Sequence, residues 1–377
     1  MKQALAALLV LLFAATPAFP AEEDTWTSVG RIVAIGDVHG DFDQFVALLR
    51  SAGLIDARNR WTGGETHLVQ TGDVLDRGPD SRKAMDLLMN LERQARRAGG
   101  FVHALIGNHE AMNLYGDLRY VSEGEYAAFR RRDSERIRAT FYEQHVEELK
   151  QNPPPDGLPE FDDAYRQKWE AAHPLGYFEH RVAFGPKGEY GKWIRDHNAA
   201  VKINDTLFLH GGISPTYSIF SANHINIQIR AELQDFSKLM GGMSIDQEGP
   251  LWYRGLAQGD QGTFAGQVDA LLRGYGVSRI VIGHTPTPGI VLPRFGGKVV
   301  LIDVGLAAYY GGGLSCLVIE GDRIYALHRG KPLSLEFSGG ADLLAYLKQA
   351  AALELDSSRL APLIENVEKR LAVPASP

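Results

Sequence analysis

Three short apolar runs, each followed at once by glycine and polar residues, constrain the fold of this chain most strongly. The runs are Ile32–Ile35, Leu68–Thr71 and Val102–Ile106, and the motifs after them read GDVHGD, GDVLDRG and GNHE. Apolar runs of this length that are bounded by glycine predict buried strands. Helical patterns between the runs predict that the strands are parallel. We therefore expect an α/β fold with the three motifs at the carboxyl edge of one sheet, where such sheets bind ligands.

The polar residues of these motifs are expected to converge at that edge. They are Asp37, His39, Asp73, Asn108 and His109. Oxygen and imidazole donors together suit borderline divalent metals and do not resemble a thiolate site. A single Asp-x-His motif is a weak signal, but solvated loops would not place polar residues repeatedly at strand ends.

The strand–helix alternation breaks at about residues 113–190, and we expect a helical insertion that caps the edge of the sheet. The charged stretch Arg130–Arg136 is predicted to be a solvated helix. The following Asn152–Gly157, with three consecutive prolines, is predicted to be a rigid turn.

Two further strand-end motifs follow, HGG at His210 and GHT at His284. Beyond them, the strands predicted at 298–304, 314–319 and 323–327 are expected to be connected by hairpins. We expect residues 22–340 to form the main domain and residues 341–377 a C-terminal helical extension.

Composition excludes several classes of function. Hydrophobic residues make up 45% of the 377 residues, which suffices for a packed core. Charged residues make up 23%, of mixed sign, and the net charge of -7 predicts no nucleic-acid partner. Cys316 is the single cysteine, so no intramolecular disulfide can form. Its apolar surroundings favour a buried inert thiol over a nucleophile.

The amino terminus predicts export. Residues 1–21 have a charged start and a short apolar core, which is typical of a secretory signal peptide. The core is short for a membrane span, although an uncleaved anchor is the alternative. We expect a periplasmic or secreted protein without stable membrane insertion after cleavage.

The motif set GDVHG, GDVLDRG, GNHE, HGG and GHT resembles the calcineurin-like metallophosphoesterases, and within them the phosphoprotein phosphatase family. The stretches 72–82 and 107–122 are most similar to the bacterial Shewanella-like phosphatases. The resemblance covers about residues 32–305. It implies a four-layer α/β/β/α sandwich, here with a helical insertion after the third strand, and a metal-dependent phosphomonoesterase.

The resemblance also implies a ligand set for two divalent metal ions. Asp37 and His39 would hold the first metal, with Asp73 as the bridge. The second metal would take Asn108, His210 and His284. Manganese, iron and zinc all suit these ligands, so the sequence does not choose among them. The resemblance implies direct attack on phosphorus by a hydroxide that bridges the metals.

By the same resemblance, His109 is the general acid for the leaving group, and Asp76 is the carboxylate that orients it. A second-sphere histidine is the alternative for His109. Arg77 matches the phosphate-binding arginine of the family, whose planar donors suit phosphate oxygens. Arg254 is a candidate for a second such arginine, with a loop salt bridge as its alternative.

The sequence also departs from the family pattern. Ile106 stands where eukaryotic-type members carry an arginine before Gly-Asn-His-Glu, so Arg119 or Arg254 would have to compensate. A tyrosine-bearing motif is not clearly matched, although Tyr309-Tyr310 lies in about the right region.

The substrate is expected to be a phosphorylated protein or a small phosphomonoester. Phosphotyrosine, phosphoserine and phosphothreonine all stay open. The alternatives are a nucleotide or dinucleoside polyphosphate hydrolase, and a metal-binding protein that has lost turnover.

Overall fold

The computed structural model describes residues 23–336, 339–354 and 356–372. The predicted signal peptide, residues 1–21, lies outside these ranges. The domain boundaries drawn from the sequence stay predictions. Within the described ranges, no helix combines the length and the apolar character that crossing a bilayer would need.

The described residues form strands and helices that alternate from β2 to β4, followed by a run of helices and later a run of strands. The strands are β1 Thr25–Trp26, β2 Arg31–Ile35, β3 His67–Gln70, β4 Phe101–Ala104, β5 Ala200–Ile203, β6 Thr206–Leu209, β7 Arg279–Ile282, β8 Leu292–Arg294, β9 Val299–Leu301, β10 Ser315–Glu320, β11 Arg323–His328 and β12 Lys331–Ser334. The α-helices are α1 Phe42–Ser51, α2 Ser81–Arg97, α3 Asn108–Tyr115, α4 Glu123–Ala128, α5 Ser134–Gln151, α6 Asp163–Ala172, α7 Tyr177–Phe184, α8 Glu189–Asp196, α9 Ala222–Gln234, α10 Gly255–Gln258, α11 Gln261–Tyr275, α12 Gly340–Leu353 and α13 Ala361–Ala372.

The strands form two mixed sheets, with the orders β12-β11-β10-β2-β3-β4 and β1-β5-β6-β7-β9-β8. Strands β2, β3 and β4 run parallel, so the motifs that follow them lie at one edge. Strands β6 and β7 are also parallel to each other, and they lead into His210 and His284. The Trp26 ring of β1 lies 4.5 Å from the Phe101 ring of β4, so faces of the two sheets pack together.

Helix α2 shows why the helices between the first strands could be predicted from the sequence. Met85, Leu88 and Leu91 are buried at three-residue spacing on one face. The helix ends where Gly99 adopts a φ of +84°, a conformation that glycine reaches without a steric penalty. The buried, unpaired Cys316 on β10 agrees with an inert thiol, because burial raises its pKa to about 12.

The hairpin predicted between residues 298–304 and 314–319 is wrong. Strand β9 pairs in parallel with β7 in one sheet, whereas β10 pairs antiparallel with β2 in the other. The predicted hairpin of β10 and β11 is present. An apolar pattern identifies a strand, but it does not show which sheet the strand joins. The short strands β1, β8 and β12 were not predicted.

The charged stretch Arg130–Arg136 is not one continuous helix, which corrects a second prediction. Helix α4 ends at Ala128, and α5 begins only at Ser134. The intervening residues turn the chain, with the Arg131 N–H donating to Ser134 Oγ at 2.8 Å. Serine in this position competes for backbone hydrogen bonds and favours a turn over a helix interior. The chain between β4 and β5 is otherwise largely helical, with α3 to α8.

A histidine pair lies between the sheets, away from the strand-end motifs. His67 Nδ1 is 3.0 Å from His103 Nε2, and the Trp26 ring lies 4.9 Å from the His67 ring. Burial lowers the pKa of His67 to about 4. Burial also lowers the pKa of His103 well below its usual range, and the charges of His67, His197 and Arg96 add to that effect.

These pKa values predict a loss of stability in acid. The pKa of His67 is about 4 in the folded chain and about 6.5 when unfolded, so the unfolded chain binds more protons between these values. The free energy of unfolding therefore falls as the pH drops through this window. The double variant His67→Gln/His103→Gln has no imidazole to protonate there. Its Tm should fall less than that of the wild type between neutral pH and about pH 4.5 in thermal unfolding. An equal acid shift in both proteins would contradict this assignment.

Candidate metal centre

The loops after the strands are built from unusual backbone. Five non-glycine residues of the predicted site have positive φ angles: His39 at 46°, Asp73 at 57°, Asp76 at 69°, Arg77 at 69° and His284 at 66°. Such conformations are uncommon outside glycine and cluster at functional sites. Glycine in the motifs permits close approach, because a Cβ on Gly283 would lie 2.5 Å from Asp37 Oδ1.

Asp73 joins the first three motifs. Its carbonyl accepts the N–H groups of Val38 at 2.9 Å and His39 at 3.0 Å. Its Oδ1 accepts the N–H of His109 at 2.9 Å. The side chain is 2% exposed, so this carboxylate is held almost out of contact with solvent. The backbone and side chain of one residue therefore bind the loops that follow β2 and β4.

Glu110 reinforces the same junction from helix α3. Its Oε2 accepts the N–H groups of Asp73 at 2.7 Å and Gly107 at 2.8 Å. Its Oε1 accepts the N–H of Val74 at 2.9 Å. Glu110 therefore fixes two of the loops through their backbone, and Oδ2 of Asp73 is left to face the imidazoles of the site.

His210 and three other side chains converge at one point. Its Nε2 lies 2.9 Å from Asn108 Oδ1, 3.1 Å from His284 Nδ1 and 3.3 Å from Asp73 Oδ2. A single proton on Nε2 can serve one of these atoms, whereas a divalent cation can accept electron pairs from all four. Asp73, His210 and His284 are thus grouped as potential metal ligands.

A second group shares Asp73. It consists of His39, Asp73 and His109, all buried, with both Nε2 atoms 3.8 Å from Asp73 Oδ2. Asp37 lies beside it, with Oδ2 3.9 Å from His39 Nε2. The structure therefore brings all six predicted metal ligands together around Asp73: Asp37 and His39 lie near the group with His109, and Asn108 lies near the group of His210 and His284.

The outer ring nitrogens show that this donor set fits metal ions. Each of three histidines turns one nitrogen to a backbone carbonyl: His39 Nδ1 to Leu75 at 2.9 Å, His210 Nδ1 to Thr71 at 2.8 Å and His284 Nε2 to Trp252 at 3.0 Å. A carbonyl only accepts, so the proton of the neutral ring stands on that nitrogen. The other nitrogen then points its lone pair into the cluster, as metal-binding histidines do.

The charges of the site also favour a cation. Burial raises the pKa of Asp37 well above its usual value, and the carboxylates of Asp303 and Asp73 raise it further. Burial opposes ionisation of Asp73 as well, but the imidazoles of His210 and His109 outweigh it and hold the pKa of Asp73 well below its usual value. Several buried carboxyl groups thus repel one another, and a bound cation relieves that repulsion.

His109 forms a separate pair with Asp76. Its Nδ1 lies 2.5 Å from Asp76 Oδ2, and the other Asp76 oxygen accepts from Asn113 Nδ2 at 3.0 Å. Burial alone would lower the pKa of His109, but the charge of Asp73 and the hydrogen bond to Asp76 outweigh it and raise the pKa. His109 therefore holds a proton on Nδ1 and presents Nε2 to the site.

The cluster opens into a cavity of about 180 Å³. Its lining residues are His39, Asp73, Arg77, Asn108, His109, Tyr120, Trp252, Arg254, His284, Pro286, Asp303 and Tyr310. Two of the three predicted substrate arginines, Arg77 and Arg254, are among them. Arg119 is not, and its guanidinium binds the carboxylate of Asp117 with contacts of 2.8 and 2.5 Å.

Comparison with known proteins agrees with this geometry. A family model described as calcineurin-like phosphoesterase matches residues 30–288. The chain belongs to this family. As a calcineurin-like phosphoesterase it is a metal-dependent hydrolase of phosphate esters, and its predicted calcineurin-like α/β fold is confirmed.

The phosphoesterase is similar to proteins from three different organisms. It is 32% identical over 318 residues to an uncharacterised protein of Schizosaccharomyces pombe, covering 81% of this chain and 82% of the relative. It is 32% identical to Shewanella-like protein phosphatase 2 of Arabidopsis thaliana, covering 75% and 73% of the two chains. The crystal structure of a cold-active protein-tyrosine phosphatase from a psychrophilic Shewanella species matches with a TM-score of 0.64 and 29% identity, over 84% of this chain and 83% of that one. The predicted resemblance to the Shewanella-like phosphatases is confirmed.

Several residues of the phosphoesterase site were not predicted. Glu110 stands inside the GNHE motif, so its position gave a signal for a role. Asp303 lines the cavity after β9, and its Asp-Val pair repeats the Asp-Val pair at Asp37, where an aspartate also follows a strand. Asn113 and Tyr120 lie in a region without a strand–helix pattern, and nothing local marks them as site residues.

The role of Glu110 can be tested by Glu110→Gln. One amide oxygen cannot replace both carboxylate oxygens, so at least one buried N–H of the loops loses its acceptor. We expect a loss of stability of about 2 to 4 kcal/mol and a lower metal content after dialysis. Thermal unfolding and elemental analysis measure the two effects.

The matched control is Glu123→Gln, an exposed glutamate at the start of α4. It should leave both quantities unchanged. Wild-type stability and metal content in Glu110→Gln would contradict the role of Glu110 as the tie between the loops.

Proposed function

We propose that this phosphoesterase is an exported phosphomonoesterase with two metal ions that acts on phosphorylated proteins. One observation carries the proposal: a carboxylate-held histidine, His109, stands beside two groups of ligand atoms that share Asp73. The printed names of its relatives, as protein phosphatases, support the substrate class. The signal-like residues 1–21 support export to the periplasm or beyond.

The ligands of the proposed metal ions follow from the two groups of side chains. Asp37 and His39 would hold one ion, and Asn108, His210 and His284 the other, with Asp73 shared. When bound, such metals act as Lewis acids on a phosphoryl oxygen and lower the pKa of bound water. Manganese, iron and zinc all suit this mixture of oxygen and imidazole ligands.

His109 is the proposed general acid. Its Nδ1–H is held by Asp76, so Nε2 is the atom that delivers a proton to the oxygen of the leaving group. Asn113 holds the second oxygen of Asp76 and thereby sets the orientation of the carboxylate. A proton donor matters most for a poor leaving group, such as a serine alkoxide, which is strongly basic.

Arg77 is the proposed phosphate-binding group. Arg254 also lines the cavity, but its Nη1 donates to the carbonyl of His284 at 2.7 Å and to Thr285 Oγ1 at 3.1 Å. These contacts fit a role in holding the loop that carries His284, and its other donors can still face substrate. Arg119 is excluded from this proposal because Asp117 already occupies its guanidinium.

Phosphotyrosine, alongside phosphoserine or phosphothreonine, is part of the proposal. The structural neighbour with 29% identity is named a protein-tyrosine phosphatase. Aromatic residues at the cavity, Tyr120, Trp252 and Tyr310, offer faces against which a phenyl ring can pack.

The first experiment is hydrolysis of p-nitrophenyl phosphate by the chain from residue 22 onward. Treatment with EDTA should abolish activity, and Mn²⁺ should restore it. Parallel rates on phosphotyrosine and phosphoserine peptides and on dinucleoside polyphosphates identify the substrate. A rate that is highest on nucleotides would overturn the protein substrate, and a metal-loaded chain without any esterase activity would overturn the proposed function. Cell fractionation tests export, and recovery in the cytoplasm would contradict it.

The general-acid assignment predicts a leaving-group effect in His109→Asn. Asparagine cannot donate a proton of suitable pKa, so activity on phosphoserine peptides should fall by about 10²- to 10⁴-fold. The loss on p-nitrophenyl phosphate should be much smaller, because nitrophenolate needs little protonation. Steady-state rates on both substrates measure this difference, and an equal loss on both would remove the assignment.

A further inference from the structure

We infer that Tyr120 and Tyr309 are positioning residues that hold the Arg77 guanidinium against their rings and turn its edge toward the phosphate of the substrate. This inference rests on the proposed function and adds two residues to it. The Arg77 guanidinium carbon lies 3.9 Å from the centre of the Tyr120 ring and 5.0 Å from the centre of the Tyr309 ring.

The guanidinium of Arg77 has no polar partner among the residues that the structure describes. Its Nε is buried without a hydrogen bond, and within the same ranges no carboxylate or carbonyl contacts the other nitrogens. The two other candidate arginines differ. Arg119 is paired with Asp117, and Arg254 donates to the His284 loop. Arg77 is therefore the candidate whose donors are uncommitted, and it lines the cavity.

Aromatic stacking explains how an uncommitted guanidinium is kept in place. The face of an aromatic ring attracts the face of a guanidinium that lies over it. The N–H donors of arginine point outward in the plane of the guanidinium, away from this contact. The two tyrosine faces can thus restrain Arg77 without consuming any donor. A carboxylate partner would fix it equally well, but it would occupy the fork that phosphate oxygens need.

Tyr120 also holds the backbone of Arg77. Its carbonyl accepts the Arg77 N–H at 3.0 Å, at the residue whose φ is +69°. Two residues later, Ser122 Oγ donates to the Gly78 carbonyl at 3.0 Å. The segment from Tyr120 to Ser122 therefore supports the strained turn from outside.

Tyr309 contacts Arg77 from another part of the chain, next to the cavity-lining Tyr310. It lies in a short 3₁₀ turn, Ala308–Tyr310, which is anchored by the Ala308 N–H donating to Asp41 Oδ2 at 2.9 Å. Tyr309 is 66% exposed, which is unusual for a tyrosine without a partner surface. Its contact with Arg77 gives this exposed ring a partner.

The test measures binding of inorganic phosphate to the full-length, Mn²⁺-loaded protein by calorimetry. Tyr120→Leu removes the ring, and its dissociation constant should rise about five- to tenfold, in the range of one cation–π contact. Tyr120→Phe keeps the ring and should bind phosphate like the wild type. In turnover, Tyr120→Leu should raise KM more than it lowers kcat.

The Arg77→Ala background distinguishes positioning from direct contact. If Tyr120 acts through Arg77, Tyr120→Leu should have no further effect on phosphate binding there. Wild-type binding in Tyr120→Leu, an equal loss in both backgrounds, or no phosphate binding by the wild type would each overturn the inference. If Tyr120→Leu does not fold, as judged by thermal unfolding, the exposed Tyr309→Leu decides by the same measurement.

The two proposals fail in different ways. A wild-type protein that binds phosphate but hydrolyses no phosphomonoester would contradict the proposed function alone. The phosphate affinities of the variants would then still decide the role of the two tyrosines.

Discussion

The buried carboxylate of Asp73 is the interaction on which the rest of the site depends. Its backbone carbonyl accepts hydrogen bonds from the loop after β2, and its Oδ1 accepts one from the start of α3. Its Oδ2 faces imidazoles of both ligand groups. A carboxylate this deeply buried is stable as an anion only among cationic or proton-donating groups. The imidazoles, and the metals that this family binds, are such groups. The same residue thus needs its charge compensated and holds the loops in place.

The motifs combine close backbone approach with a strained backbone. The Gly283 backbone lies so close to Asp37 that a side chain would not fit, and several proposed ligands adopt left-handed φ angles. Neither feature stabilises an isolated loop. Glu110 offsets the strain by accepting three backbone N–H groups, and the segment after α3 supports the turn at Asp76 and Arg77. The helical chain between β4 and β5 therefore takes part in building the cavity as well as bordering it.

Local patterns were sufficient for much of the fold. The parallel strands β2, β3 and β4 follow from short apolar runs bounded by glycine, and the helix α2 follows from its helical apolar periodicity. The pairing of β9 did not follow from the sequence. Its actual neighbour β7 and the strand β10 that follows it are both short apolar strands, so composition does not show which of them pairs with β9. The helix predicted across Arg130–Arg136 is absent because the Ser134 side chain accepts the Arg131 N–H, and this hydrogen bond stabilises a turn there.

The sequence by itself determined which residues stand at the strand ends, because buried strands that end repeatedly in glycine-flanked aspartates and histidines are typical of a ligand-binding edge. From this followed the convergence of Asp37, His39, Asp73, Asn108 and His109. Only the tertiary structure decided which arginine keeps its donors free. All three arginines were candidates from the sequence, but Asp117 binds Arg119, the His284 loop binds part of the Arg254 guanidinium, and tyrosine faces contact Arg77. The availability of a guanidinium depends on neighbours distant along the chain, which no local pattern specifies.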